Sequence, residues 1–349
     1  MRVLILYTEL AGYVLGNINR YLQSYKDARV LIIHYPVNPE APFNFNRFER
    51  ITFIDISKNS RENILKAINE FNPATVLCSG WANTFYLEIT KKLPANVKKV
   101  VCLDNQWKGS LKQRILVMAS PFWLLRMFRY AWVPGEPQRQ YALKLGFRKD
   151  RVFTGLYPAD SALYGAIGKK KLEGKGPYPR TFISIARYIP QKDLPTLWKA
   201  FIAANKKTGE AWMLKCFGFG ELFESRILDS HIQHLGFKQP GELEQYIKEA
   251  GVYVLPSTYE PWGVAVHEMA LSALPLVLSD KVGAGSMFLD KSNGFKFEAG
   301  NSAELESVLI KIMNMSDDEL WAMAAESYRA GLKLTSDDWS ETLKTITDD

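Results

Sequence analysis

The chain has 349 residues, 47% of them apolar, enough to bury the cores of about two domains, which excludes a disordered chain or a coiled coil. Its 44 Lys and Arg against 37 Asp and Glu leave a charge of +7, an excess that favours anionic partners such as phosphates or an acidic membrane without demanding nucleic acid. Cys78, Cys102 and Cys216 stand alone with no C-x-x-C spacing, which argues against a disulfide framework or a zinc ribbon and fits a reducing, cytoplasmic setting.

Short β-branched runs alternate with amphipathic stretches from the first residues onward. Strands are predicted at 3–7, 30–34, 51–56, 75–79, 98–103, 131–133 and 151–154. Helices are predicted at 15–25, 61–71, 83–92 and 136–146, with a basic helical region at 111–130. This is the rhythm of a parallel sheet covered by helices. The first residues lack the long apolar stretch and cleavage site of a signal peptide, so none is expected. The longest apolar run, 115–125, holds Ser120 and Pro121 and falls short of the roughly 20 residues a membrane-spanning helix needs.

The rhythm breaks at 157–179, where Gly168-Lys169-Lys170-Lys171 and Gly174-Lys175-Gly176-Pro177 predict a domain linker. A second series follows, with strands at 181–186, 212–217, 232–235, 252–255 and 276–278 and helices near 193–205, 221–229, 241–250 and 264–273. The expected domains are 1–160, 161–334 and a terminal helix at 335–349. Two doubly wound, Rossmann-like α/β domains facing each other across a central crevice are the architecture implied, with ligands beyond the carboxyl ends of the strands. Residues 335–349 carry five acidic side chains against Lys344 and an apolar stripe of Trp339, Leu343 and Ile346. Such a stripe needs an apolar surface, and its acidic face matches the basic N-terminal half, so this helix is expected to return to the N-terminal domain.

The most specific stretch runs from Ser257 to Glu268, directly after the strand at 252–255. If a helix starts near Gly263, Glu260 lies in the loop before it and Glu268 on its second turn, so both can address one crevice. Gly263 lets the backbone approach a ligand, and the unpaired N–H groups of a helix start attract an anion. A helix-start charge complement would account for either glutamate alone. Two carboxylates could also serve a glycoside hydrolase as acid and nucleophile.

Glu260-Pro261-Trp262-Gly263 through Glu268 resembles the E-x7-E motif of the large retaining glycosyltransferase family 4, the glycosyl transferases group 1, which has the GT-B fold. Upstream, residues 186–193 resemble that family's G-R-x-x-x-x-K-G element, with Ala186 and Asp193 in the places of its glycines. Lys215-Cys216-Phe217-Gly218-Phe219-Gly220 is similar to its strand ending in G-x-G. His234-Leu235-Gly236-Phe237 is similar to the strand whose following loop faces the nucleotide base, and Gly283-Ala284-Gly285 to a glycine-rich turn. The resemblance is clear over about 180–300 and weaker over the first 160 residues.

The resemblance implies that Arg187 and Lys192 grip the diphosphate of a nucleotide-sugar donor, that Glu260 contacts the donor sugar near its reacting face, and that Glu268 holds the ribose hydroxyls. Gly263, Val264, Gly218, Phe237 and Gly12 would line the donor site. Asp104 and Asn105 align with a segment that in the family often carries a histidine near the sugar. The implied activity is transfer of a sugar, with retention of anomeric configuration, to a glycan or lipid-linked acceptor in surface polysaccharide synthesis. A nucleotide-sugar epimerase of the same fold and a catalytically silent glycan-binding scaffold are the alternatives.

Stabilising two phosphates as charge grows on the leaving oxygen takes a divalent metal or fixed cations and helix-start amides. No D-x-D occurs in the chain, so Arg187, Lys192 and the helix start near Gly263 are expected to take the metal's place, and no metal or other cofactor is expected. His34, His231 and His234 have neither metal spacing nor a nearby nucleophile, and His267, adjacent to Glu268, is expected on the opposite face of its helix, so none receives a catalytic role.

Residues 107–132 carry Lys108, Lys112, Arg114, Arg126 and Arg129, with no acidic residue, interleaved with Trp107, Phe122, Trp123, Phe128, Tyr130 and Trp132. That composition suits peripheral contact with the inner face of the plasma membrane, against a core-packed helix pair with a basic outer face. Pro121 is expected to break any single long helix there. No nucleic acid partner is expected, because no recognised module for one is present.

Overall fold

The structure is a computed structural model that describes residues 1–43, 49–209 and 212–349. It divides into two compact units, the first made of 1–38, 43–158 and 336–349, the second of 39–42 and 159–335.

In chain order the first unit holds β1 (Arg2–Tyr7), α1 (Gly12–Ser24), β2 (Arg29–His34), β3 (Ile51–Asp55), α2 (Arg61–Phe71), β4 (Thr75–Ser79), α3 (Thr84–Lys92), β5 (Lys98–Cys102), α4 (Leu111–Met127), β6 (Tyr130–Trp132), α5 (Glu136–Lys144) and β7 (Val152–Phe153). Its strands form one parallel sheet in the order β3-β2-β1-β4-β5-β6-β7. Val3 faces Val30 on one side and Thr75 on the other, so the strand order turns at β1. The strands are nearly continuous apolar runs because both faces are covered. Leu4, Leu6, Leu31 and Val76 pack under α2, α3 and α4, whereas Val3, Ile5, Val30 and Leu77 pack under α1 on the other face.

The second unit holds α6 (Ser161–Glu173), β8 (Thr181–Ile185), α7 (Leu194–Thr208), β9 (Met213–Phe217), β10 (Ile232–His234), α8 (Pro240–Lys248), β11 (Val252–Leu255), α9 (Val264–Leu271), β12 (Leu276–Ser279), α10 (Gly285–Phe288), β13 (Gly294–Phe297), α11 (Ser302–Met313) and α12 (Asp317–Gly331). Its sheet is also parallel, in the order β10-β9-β8-β11-β12-β13. Phe182, Leu214, Val254 and Val277 pack with Trp198 and Phe201 of α7 and Leu305 and Leu309 of α11 on one face.

Three expectations are corrected. The stretch 157–179 is not a linker, because most of it is α6, capped by the Asp160 carboxylate accepting from the Ala162 and Leu163 amides, both at 3.1 Å. One of its glycines serves close packing: a Cβ on Gly168 would sit 2.0 Å from the Leu271 carbonyl oxygen of α9. Residues 221–229 form turns rather than a helix. The Tyr188 carbonyl takes the Leu222 amide at 2.9 Å, and Phe223 packs on Tyr188 with ring centroids 5.1 Å apart, so tertiary contacts override the local pattern.

The third correction is that Pro121 lies inside one continuous helix, α4. A proline there leaves the carbonyl four residues back, on Val117, without its amide donor. The Ser120 hydroxyl lies 2.8 Å from that carbonyl and 2.6 Å from the Leu145 carbonyl, supplying a donor where the backbone has none.

The last helix, α13 (Ser336–Asp348), is part of the first unit. Trp339 stacks on Trp132 at 5.1 Å and its indole N–H donates to the Leu156 carbonyl at 3.1 Å. Leu343 and Ile346 are buried beside it. The acidic face meets basic partners: Asp337 pairs with Arg20, and Asp349, just past the helix, with Arg151. Trp339→Ala should cost about 3–5 kcal/mol of stability, since it empties a packed site and strips a face of Trp132. Truncation after Leu334 should lower the thermal midpoint by several degrees, and an unchanged melting curve for the truncated chain would overturn this account.

Candidate functional site

Because the second sheet is parallel, the loops after β8, β9, β10, β11 and β12 emerge at one edge and can be tied together there. The loop after β8 carries Arg187 and ends in a short 3-10 turn at Pro190–Lys192. Asp193 closes that turn with φ +48°, the left-handed conformation that the glycine of the resembling motif would adopt freely. Aspartate is among the few other residues that tolerate it, so the turn survives the substitution.

Gly218, after β9, has φ +130°, and a Cβ there would lie 2.1 Å from the Ala186 carbonyl oxygen. Its lack of a side chain is what lets this loop run against the Arg187 backbone. Gly236, in the turn after β10, accepts from the Gly218 amide at 2.9 Å and brings half-buried Phe237 into the same series of loops. The loop after β11 is held from two sides. Thr258 donates its amide to the Gln191 carbonyl at 2.9 Å, and Gly283 and Ala284 donate to the carbonyls of Glu260 and Trp262 at 3.0 and 2.9 Å.

These ties bring Lys192 and Glu260 into an ion pair, their side chains 16% and 12% exposed. Gly263 has φ +93°, and a Cβ there would come within 2.9 Å of the Glu260 Cγ, so glycine makes room for the glutamate to fold back. It also caps α9, whose first N–H groups, starting at Val264, receive no side-chain acceptor. The result is a helix start without a side-chain cap, of the kind that attracts an anion, beside a lysine and a carboxylate. Arg187, 40% exposed, faces Glu40 at 3.6 Å.

Glu268 lies a turn further along α9. Burial pushes its carboxyl up to about 7, moderated by a hydrogen bond from the Tyr164 hydroxyl of α6, with Asp160 adding like charge. Tyr164 was not expected, because it sits in the stretch whose composition reads as a linker. Its signal is Asp160 as a helix cap followed by Leu163 and Ile167 at helical spacing. The neighbouring His267 is structural: its Nδ1 accepts from the Ala159 amide and its Nε2 donates to the Gly331 carbonyl, both at 2.9 Å, and burial lowers its pKa to about 4.

The structure therefore gathers Arg187, Lys192, Gly218, Phe237, Glu260, Gly263, Val264 and Glu268 in the second unit. Gly12, Asp104 and Asn105 belong to the first. Gly12 opens α1 after β1, and Asp104 and Asn105 follow β5, so both segments sit at the carboxyl edge of that sheet. Asn105 is exposed. Asp104 is half-buried among Tyr7, Tyr157 and Cys102, close enough to help burial raise all three of their pKa values. This tyrosine cluster has no signature in the sequence, since its members lie far apart along the chain. The three cysteines are free and buried, their thiols pushed up by desolvation. Among the described residues, no three His, Cys, Asp or Glu side chains are placed to hold a metal ion.

Residues 169–329 match the family model of the glycosyl transferases group 1. An uncharacterized glycosyltransferase of Methanocaldococcus jannaschii is 27% identical over 44% of this chain and 43% of its own length. The amylovoran biosynthesis glycosyltransferase AmsK of Erwinia amylovora is 25% identical over 38% of this chain and 36% of its own. The chain thus spans less than half the length of these curated relatives. The crystal structure of Anabaena HepE with UDP and glucose superposes over 100% of both chains, with a TM-score of 0.73 at 15% identity. The fold is GT-B, two Rossmann-like parallel-sheet domains.

The Glu268 pKa carries a prediction of definite sign. The folded chain holds this proton more tightly than the unfolded one, so its contribution to stability is lost as pH rises from about 4.5 through about 7. Glu268→Gln should melt above the wild type at pH above about 7 and converge with it below about 4.5. A difference that ignores pH would remove this assignment.

Proposed function

We propose that the protein is a retaining, metal-independent glycosyltransferase that moves a sugar from a nucleoside diphosphate sugar to a glycan or lipid-linked acceptor in surface polysaccharide synthesis. The observation that carries this reading is the Lys192–Glu260 ion pair set against the start of α9, which has no side-chain cap, within the segment that matches the glycosyl transferases group 1. The UDP and glucose in the HepE structure and the part of AmsK in amylovoran biosynthesis support a nucleotide-sugar donor and a biosynthetic role.

In this reading the second unit takes the donor. The diphosphate lies at the α9 amides with Arg187 and Lys192 on its oxygens, and these fixed charges stabilise the leaving phosphate as the glycosidic bond breaks. Glu260 holds Lys192 in position before the donor arrives and contacts the donor sugar afterwards. Glu268 accepts from the ribose hydroxyls, and Phe237 lies beside the base. The acceptor hydroxyl attacks on the face the diphosphate is leaving, so the configuration is kept and its proton departs on a diphosphate oxygen. In the same reading the first unit binds the acceptor, with Asp104 and Asn105 as its candidate contacts.

Arg187→Ala and Lys192→Ala should each weaken nucleoside diphosphate binding by about 10- to 100-fold, as expected for a charge-assisted hydrogen bond lost from a partly desolvated site. The plain nucleoside should bind unchanged, and an equal loss for it would mean that the two cations serve folding. With labelled donor and a polysaccharide acceptor, the expected product is a glycoside formed as fast in EDTA as without it. Abolition by the chelator with rescue by magnesium would overturn the metal-independent mechanism, and release of an epimerised nucleotide sugar would overturn the transferase.

A further inference from the structure

Helix α4 is seated by Ser120, Leu124 and Trp123, of which Ser120 and Leu124 are fully buried, while Trp123 packs on Trp81 at 6.3 Å. Its opposite face carries Leu111, Ile115, Met118 and Phe122, exposed by 75, 56, 76 and 71%. Large apolar side chains scattered singly over a surface need no explanation, but four on one helix do. At about 100° per residue their spacing of four, three and four keeps them within an arc of about 60°.

Cations border this stripe. Lys112 and Arg114 flank its first half and Arg126 its second, Lys108 precedes the helix and Arg129 follows it, and all five are exposed. No acidic residue occurs from 105 to 135. Arg129 is shared with Asp349 at 3.5 Å.

We propose that this face of α4 docks on an anionic lipid surface, with Leu111, Ile115, Met118 and Phe122 entering the boundary between headgroups and acyl chains and Lys108, Lys112, Arg114 and Arg126 lying among the lipid phosphates. Charge decides this occupant over a second copy of the chain. Self-association through the same stripe would bring cations against cations with no acidic residue in the segment to answer them. The proposal stands on the first unit alone and does not depend on the transferase reading.

The test is co-sedimentation of the full chain with vesicles of phosphatidylglycerol and phosphatidylcholine, compared with phosphatidylcholine alone. The chain should partition onto the anionic vesicles and be released by added salt. Lys112→Glu and Arg114→Glu should each lower partitioning by about fivefold or more, and Phe122→Glu by about tenfold or more. All three should keep the wild-type melting curve, because the substituted side chains are exposed. Absence of binding to anionic vesicles, or variants that bind as the wild type does, would overturn the proposal. So would size-exclusion data showing that Phe122→Glu turns a dimer into a monomer while vesicle partitioning is unaltered.

Discussion

The largely buried pair of Lys192 and Glu260 is the constraint on which the second unit's carboxyl edge depends. Withdrawing an ammonium and a carboxylate from water is costly, and the pair is tolerable only if each charge finds the other in good geometry. Everything around it secures that geometry: the left-handed Asp193 ends the lysine's turn, Gly263 clears space for the glutamate, and the Thr258 and Gly283 amides fix the loop between them. In the proposed reaction a pair held in this way keeps the lysine in place, so that it can exchange a carboxylate for a donor phosphate without moving.

Glu268 adds a second electrostatic element of opposite character. Where Glu260 is matched by a cation, Glu268 has none among the described residues: burial raises its pKa, the like charge of Asp160 adds to the rise, and the Tyr164 hydroxyl only partly offsets it. Two carboxylates eight residues apart are thus placed in different surroundings, one against a lysine and one buried against a hydroxyl, which suits different roles in the proposed reaction. The asymmetry comes from α6 packing across α9, where Gly168 permits backbone contact.

Most of the fold was legible in the sequence because parallel strands covered on both faces are written as short apolar runs with helices between them. The ordered motifs around Arg187, Lys192, Glu260 and Glu268 were legible too, since they lie on successive loops of one sheet edge. Failure came where a residue type serves two purposes. Gly168 reads as flexibility but is there to let two helices touch. Pro121 reads as a break but is accommodated by a serine hydroxyl. Residues 221–229 have helical periodicity that contacts to Tyr188 override. Tyr164 and the tyrosines around Asp104 could not be placed because nothing local records which distant chain segment will lie beside them.

The path of the chain through its two units has a consequence for how it is made. The second unit, apart from residues 39–42, is one continuous stretch from 159 to 335, whereas the first is assembled from both sides of that stretch and takes α13 from its far end. During synthesis the second sheet can close as soon as its own residues have emerged. The first must wait, with Trp132 lacking the cover of Trp339, until the final helix leaves the ribosome. Until then its exposed indole and the neighbouring apolar side chains are a hazard that a chaperone would recognise, and residues 336–349 act as a delayed closure for a sheet whose strands were made before the second unit.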